Sequence, residues 1–159
     1  MIVHGIPPVF DRNSRIFILG SFPSVKSRES EFFYGHAQNR FWRVLSTDFG
    51  VDEPRDIKAK REMLLSHGVA LWDVIASCDI VGSADSLIKN ATPNDILPIL
   101  ENSRIEKILL NGRVSEKYFG KFFKNKIDIP AVCLPSTSPA NAAWGIDMLV
   151  RVWRDELII

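Results

Sequence analysis

Cysteine is nearly absent. The 159 residues hold only Cys78 and Cys133, far apart in the chain, which argues against a disulfide framework or a cysteine-based metal site and for two buried thiols. Histidine is equally scarce, at three, and no zinc or iron ligand spacing occurs, so neither a metal nor a cofactor is expected. Net charge is almost missing too: 20 Lys and Arg against 19 Asp and Glu leave +1. There is no general basic field, and a polyanionic partner has to be held by a local patch and by backbone donors. No apolar run approaches the ~20 residues that span a bilayer, and the opening MIVHGIPPVF lacks the basic start and long apolar core of a signal peptide. Internal repeats, low-complexity tracts and linkers are lacking as well. The expectation is one soluble cytoplasmic domain over residues 1–159, monomeric and without membrane contact.

What is present builds a core, with 46% hydrophobic residues in a pattern that switches between short runs and helical spacing. Arg15–Gly20 (RIFILG), Val69–Ile75 (VALWDVI), Lys107–Gly112 (KILLNG) and Ala131–Ser136 (AVCLPS) read as four buried strands. Helices separate them. Phe41, Val44, Leu45 and Phe49 share a face that ends at Gly50; Pro54 opens a helix carrying Ile57, Leu64 and Leu65 and stopping near Gly68. Further helices fit Asp95–Asn102, Ser115–Lys124, and a long one from Pro139 to about Glu156 with Ser138 as its N-cap. The alternation predicts an α/β fold, a central four-stranded parallel sheet flanked by helices on both faces.

The end of the first strand, FILGSFPSVKS, nearly spells a phosphate-binding loop. Gly20, Lys26 and Ser27 fit, but Val25 stands where a second glycine must let the backbone wrap the phosphates. Asp73 after VALW imitates the magnesium-binding aspartate of nucleotidases and keeps that reading open. In open parallel sheets ligands lie beyond the carboxyl ends of the strands. Gly20-Ser21-Phe22-Pro23-Ser24, Trp72-Asp73, Asn111-Gly112 and Pro135-Ser136-Thr137-Ser138 all fall there. The connection after the first strand, EFFYGHAQNRFW (Glu31–Trp42), is rich enough in aromatics to fold over that edge as a stacking pocket.

YGHAQNRFW, with GSFPS, ALWDVIASCDIVGSADS and LPSTSPAN, resembles the uracil-DNA glycosylase superfamily and, more narrowly, its hypoxanthine (deoxyinosine) DNA glycosylase branch. The resemblance runs from Arg15 to Trp153 with all motifs in order. It implies a monofunctional enzyme of base excision repair that flips a deaminated base out of DNA and hydrolyses its N-glycosidic bond. Gly20, Ser21, Phe22, Pro23 and Ser24 match the motif that lines the base pocket, without the Asn or Asp that uracil-excising branches carry there. In the deoxyinosine branch the catalytic asparagine belongs to the NRFW segment, here Asn39. Tyr34 falls where relatives of the mismatch-specific branch place an aromatic against the extruded base, and Phe33, Trp72 and Asp73 complete the expected pocket. Ser136, Thr137 and Ser138 match the motif that grips DNA beside the flipped nucleotide; Asn111, Lys26, Arg28 and Arg40, with Arg43, are the other expected DNA contacts. The usual proline after GH is Ala37 here.

Plainer roles compete for the same residues. Asn39 precedes an apolar-periodic segment and suits an N-cap, Phe32, Phe33 and Tyr34 suit packing, His36 suits a structural hydrogen bond, and His4 and His67 carry no signal. Lys117, Lys121, Lys124 and Lys126 read as a solvated helix face. Three other functions stay in play: a uracil or mismatch-specific glycosylase, a nucleotidase, and a damaged-DNA-binding module without catalysis.

Overall fold

The computed structural model describes residues 1–158; the last residue of the expected domain, Ile159, lies outside them. Its elements are β1 (Ile2–Val3), β2 (Ile16–Gly20), α1 (Val25–Ser30), α2 (Phe41–Phe49), α3 (Ile57–Ser66), β3 (Val69–Asp73), β4 (Ile75–Asp79), a 3-10 turn (Asp85–Leu87), β5 (Lys89–Pro93), α4 (Leu97–Glu101), β6 (Lys107–Asn111), α5 (Arg113–Phe123), β7 (Ala131–Leu134) and α6 (Ile146–Leu157). The expected four-stranded sheet has the order β3-β2-β6-β7, parallel throughout. Strand β2 is buried along its whole length, the signature of a strand covered on both faces. Its side chains alternate between two cores: Ile16 and Ile18 pack with α2, α3 and α6 through Phe41, Leu45, Leu64, Leu149 and Trp153, whereas Phe17 and Leu19 pack with α4 and α5 through Ile99 and Tyr118.

Several elements differ from their expected form. The run Val69–Ile75 is two strands: β3 ends at Asp73, and Ile75 starts β4 of a second, antiparallel sheet ordered β1-β4-β5. That sheet is invisible to a period-based reading because β1 has only two residues and β5 is mostly exposed. The helix expected from Pro139 begins only at Ile146, and its N-cap position is Gly145, not Ser138; the intervening segment is a loop tied to Arg40. Asp56 caps α3 by accepting from the Ala59 N–H at 2.7 Å, so that helix starts three residues after Pro54. A short helix, α1, also forms where none was expected, with the Ser24 hydroxyl accepting from the Ser27 N–H. Cys78 is buried, Cys133 half-buried, and both are free thiols.

Candidate active site

Strand register assembles the site. Gly20 lies beside Asp73, β6 on the other side of β2 ends at Asn111, and the loop after β7 begins next to Asn111. These carboxyl ends open into a cavity of about 380 Å³ whose lining includes Gly20 to Ser24, Phe33, Tyr34, Asn39, Asp73, Asn111 and Ser136 to Ser138, a size typical of small-ligand sites. Gly20 is required by close approach: a β-carbon there would collide with Asp73 Oδ1 and stand 2.8 Å from the Tyr34 hydroxyl.

One wall is a chain of side-chain hydrogen bonds. Asn111 Nδ2 donates to the Tyr34 hydroxyl and to Thr137 Oγ1, both at 3.1 Å; Thr137 Oγ1 in turn donates to Asn39 Oδ1 at 2.9 Å. The Thr137 N–H closes the loop by donating to Asn111 Oδ1. Asn39 Oδ1 also accepts from the Phe41 N–H at 2.9 Å. The backbone donor settles which way the Asn39 amide points: its carbonyl is occupied by two donors, and Nδ2 has no protein partner among the described residues. The helix-cap role and a place in the cavity thus coexist in one residue.

Tyr34 holds a left-handed backbone (φ 51°), uncommon for a bulky residue and a mark of a functional constraint. Its ring stacks on Phe41 with centroids 4.0 Å apart, and burial, then the charge of Asp73, pushes its hydroxyl pKa up, keeping it a donor. Phe33 is almost fully buried, so it forms a fixed wall. On the opposite side the Ser21 hydroxyl donates to Asp85 Oδ1 at 3.0 Å, and burial raises the Asp85 carboxyl. The cavity therefore holds two acidic side chains, Asp73 and Asp85.

Other expected site residues are placed differently. Trp72 is outside the cavity lining, because its Nε1 donates to the Ile6 carbonyl and its ring packs into the core. Arg40 does not offer its guanidinium to solvent: it donates to the carbonyls of Thr137, Ser138, Asn141 and Trp144, clamping the loop before α6. Arg28 donates to the Gly82 carbonyl at 2.8 Å and lies over the Phe22 ring, while Arg43 lies 3.9 Å from Glu53. Lys26 is exposed and within 3.6 Å of Glu29. Asn111 and Thr137 organise the cavity wall, and Ser136 and Ser138 line the cavity beside them. Sequence reasoning missed Asp85, Ser83 and Ala84 in the Ile80–Ile88 segment, and missed His4, whose Nε2 lies 2.8 Å from Asp73 Oδ2. Only the acidic residue in GSADS stood out from its neighbours as a signal; His4 had none.

Comparison with known proteins adds an independent line. A family model described as the uracil DNA glycosylase superfamily matches residues 7–156. A protein of Methanosarcina acetivorans named hypoxanthine DNA glycosylase is 34% identical over 147 residues, covering 89% of each chain. Another of that name, from Methanosarcina barkeri, is 34% identical over 116 residues, 72% of this chain and 73% of its own. A solution NMR structure of a candidate uracil DNA glycosylase from Methanosarcina acetivorans superimposes with a TM-score of 0.81 at 30% identity, covering 98% of both chains.

Proposed function

The chain belongs to the uracil DNA glycosylase superfamily, and from that premise we propose that it is a DNA glycosylase that hydrolyses the N-glycosidic bond of hypoxanthine in deaminated DNA. Both curated relatives carry the hypoxanthine name, and Gly20–Ser24 offers no side-chain amide or carboxyl of its own. The observation that carries the catalytic assignment is the polarity of Asn39. Glycosidic cleavage builds positive charge on the sugar and negative charge on the departing base, so a fixed donor at the base lowers the barrier. With Oδ1 occupied by Phe41 and Thr137, Nδ2 is the free end, and Asn39 acts as that donor.

The other cavity residues serve binding. Flipping the nucleotide out of the duplex costs a few kcal/mol; contact with Tyr34 and Phe33 and phosphate contacts from Lys26 and the Ser136–Ser138 loop offset it. Changing Lys26 to Ala lowers the salt dependence of DNA binding by about one phosphate contact. The Ser21 proton is directed at Asp85, so Ser21 faces a base only as an acceptor. Two acidic side chains in the cavity and a solvent-facing Lys26 weigh against a triphosphate ligand. The same reading has the protein acting as a cytoplasmic monomer without membrane contact, which sedimentation and cell fractionation test.

The deciding experiment places hypoxanthine, uracil, xanthine or adenine in one flanking sequence and follows single-turnover release, with alkali revealing abasic sites. Hypoxanthine is released faster than uracil and adenine is spared. Faster uracil release moves the protein to a uracil-excising branch; binding without any release leaves only a damaged-DNA-binding module.

A further inference from the structure

His4 follows the N-terminal strand and takes no part in the catalytic assignment, yet its side chain is fully buried behind Asp73, Phe22 and Phe33, which line the cavity. Nε2 lies 2.8 Å from Asp73 Oδ2, and Nδ1 accepts from the Ile6 N–H at 3.2 Å. A neutral imidazole has one ring proton; since Nδ1 accepts, that proton is on Nε2, and Asp73 Oδ2 accepts it. Phe22, Phe33 and Trp72 surround the ring with centroids 6.0 to 6.2 Å away, which fixes its plane. Asp73 is anchored from behind as well, its backbone carbonyl accepting from Asn94 Nδ2 at 2.8 Å. One carboxylate oxygen is thereby closed. The other, Oδ1, has no hydrogen-bond partner among the described residues and lies over Gly20 at the cavity.

We propose that His4 is a positioning residue that turns Asp73 Oδ1 into a fixed acceptor for the ring N–H of an oxo base, and so excludes adenine. The inference rests on the glycosylase reading and extends it to the rejection of adenine. Hypoxanthine presents N1–H beside its oxo group, whereas adenine presents a bare N1 lone pair, which the carboxylate repels. Uracil and xanthine share the oxo and N–H edge, as guanine and thymine do, whereas cytosine, like adenine, presents a bare ring nitrogen; this contact therefore rejects the two amino bases, and the choice among the N–H-bearing bases lies elsewhere in the cavity.

The test compares release of hypoxanthine with release of 1-methylhypoxanthine, which lacks the N1 proton, from otherwise identical oligonucleotides. Wild type, His4→Phe, His4→Gln, Asp73→Asn and the His4→Phe/Asp73→Asn double variant are measured under single-turnover conditions. His4→Phe keeps an aromatic ring in the core but removes the donor. It slows hypoxanthine release by roughly 10-fold or more and shrinks the ratio between the two bases. His4→Gln, which retains a donor, keeps more of that ratio, and the double variant falls no further than Asp73→Asn alone because His4 works through Asp73. A merely structural role slows both bases alike, leaves the ratio unchanged and overturns the inference; additive losses in the double variant overturn it too. Wild type that releases no hypoxanthine overturns the glycosylase reading first, and this inference with it.

Discussion

Asn39 shows how one side chain serves structure and chemistry together. Because Phe41 and Thr137 occupy its carbonyl, its two possible roles separate by variant. Asn39→Ala lowers single-turnover release roughly 10² to 10³-fold, the scale of removing one positioned donor, while the lost cap contributes only about 1 kcal/mol to stability. Asn39→Asp retains an acceptor for the Phe41 N–H, so its melting temperature recovers, but it presents negative charge where the base departs. Its rate stays close to that of the alanine variant. A fast Asp variant assigns Asn39 to water activation instead, and a folded alanine variant of normal rate removes it from catalysis.

Two packed elements carry the site's rigidity. The Arg40 guanidinium joins the start of α2 to the loop before α6 through four carbonyls. Arg40→Ala destabilises the protein by about 2 kcal/mol, the scale of leaving buried acceptors unpaired, and weakens DNA binding without changing its salt slope, since the guanidinium is committed to backbone carbonyls. A reduced slope returns Arg40 to the DNA-contacting set. Between α2 and α6, Asp48 is almost fully buried and lies 3.3 Å from Arg154 Nε, without a well-aligned hydrogen bond. Burial, opposed by Arg154, pushes the Asp48 carboxyl up to about 6, above its value of ~3.9 in an unfolded chain. The folded state therefore holds this proton more tightly, and the stability it confers is complete below about pH 4 and lost as pH rises through about 6. Asn in place of Asp48 is expected to raise stability at pH 7.5 by about 1 to 2 kcal/mol in denaturant melts, and to abolish this loss between pH 4 and 7. An unchanged pH profile removes Asp48 as the titrating group.

For the whole molecule the question raised by Gly20, Lys26 and Ser27 is which ligand the sheet edge accepts. Phosphates need converging amides and positive charge, whereas this edge gathers Asp73 and Asp85. Release of the base therefore survives excess chelator, and neither ATP nor GTP with magnesium raises the melting temperature, because a ligand of the native state has to stabilise it by mass action. A nucleotide-dependent rise of several degrees restores the nucleotidase reading.

The sequence by itself determined the central sheet, because a strand covered on both faces must be apolar throughout, and IFILG, VALWD and KILLN state that without help from tertiary context. It also marked the sheet edge, since turn formers and polar residues can follow such strands only where the chain leaves the core, and the motifs around Tyr34, Asn39 and Ser136–Ser138 carried the family. Period and propensity could not register the second sheet, where β1 has two residues, β5 is mostly exposed and β4 runs on almost directly from β3, nor the loop before α6, where Arg40 overrides the helix suggested by Ser138 and Pro139. Only the tertiary structure decided which charges are free. Arg40, Arg28 and Lys26 look alike as letters, yet one holds four carbonyls, one holds a loop and one faces solvent. The same holds for His4 and Asp73, 69 residues apart in the chain: hydrogen bonding across that separation is fixed by the pairing of β1 with β4, the strand that follows Asp73, and no local pattern encodes it.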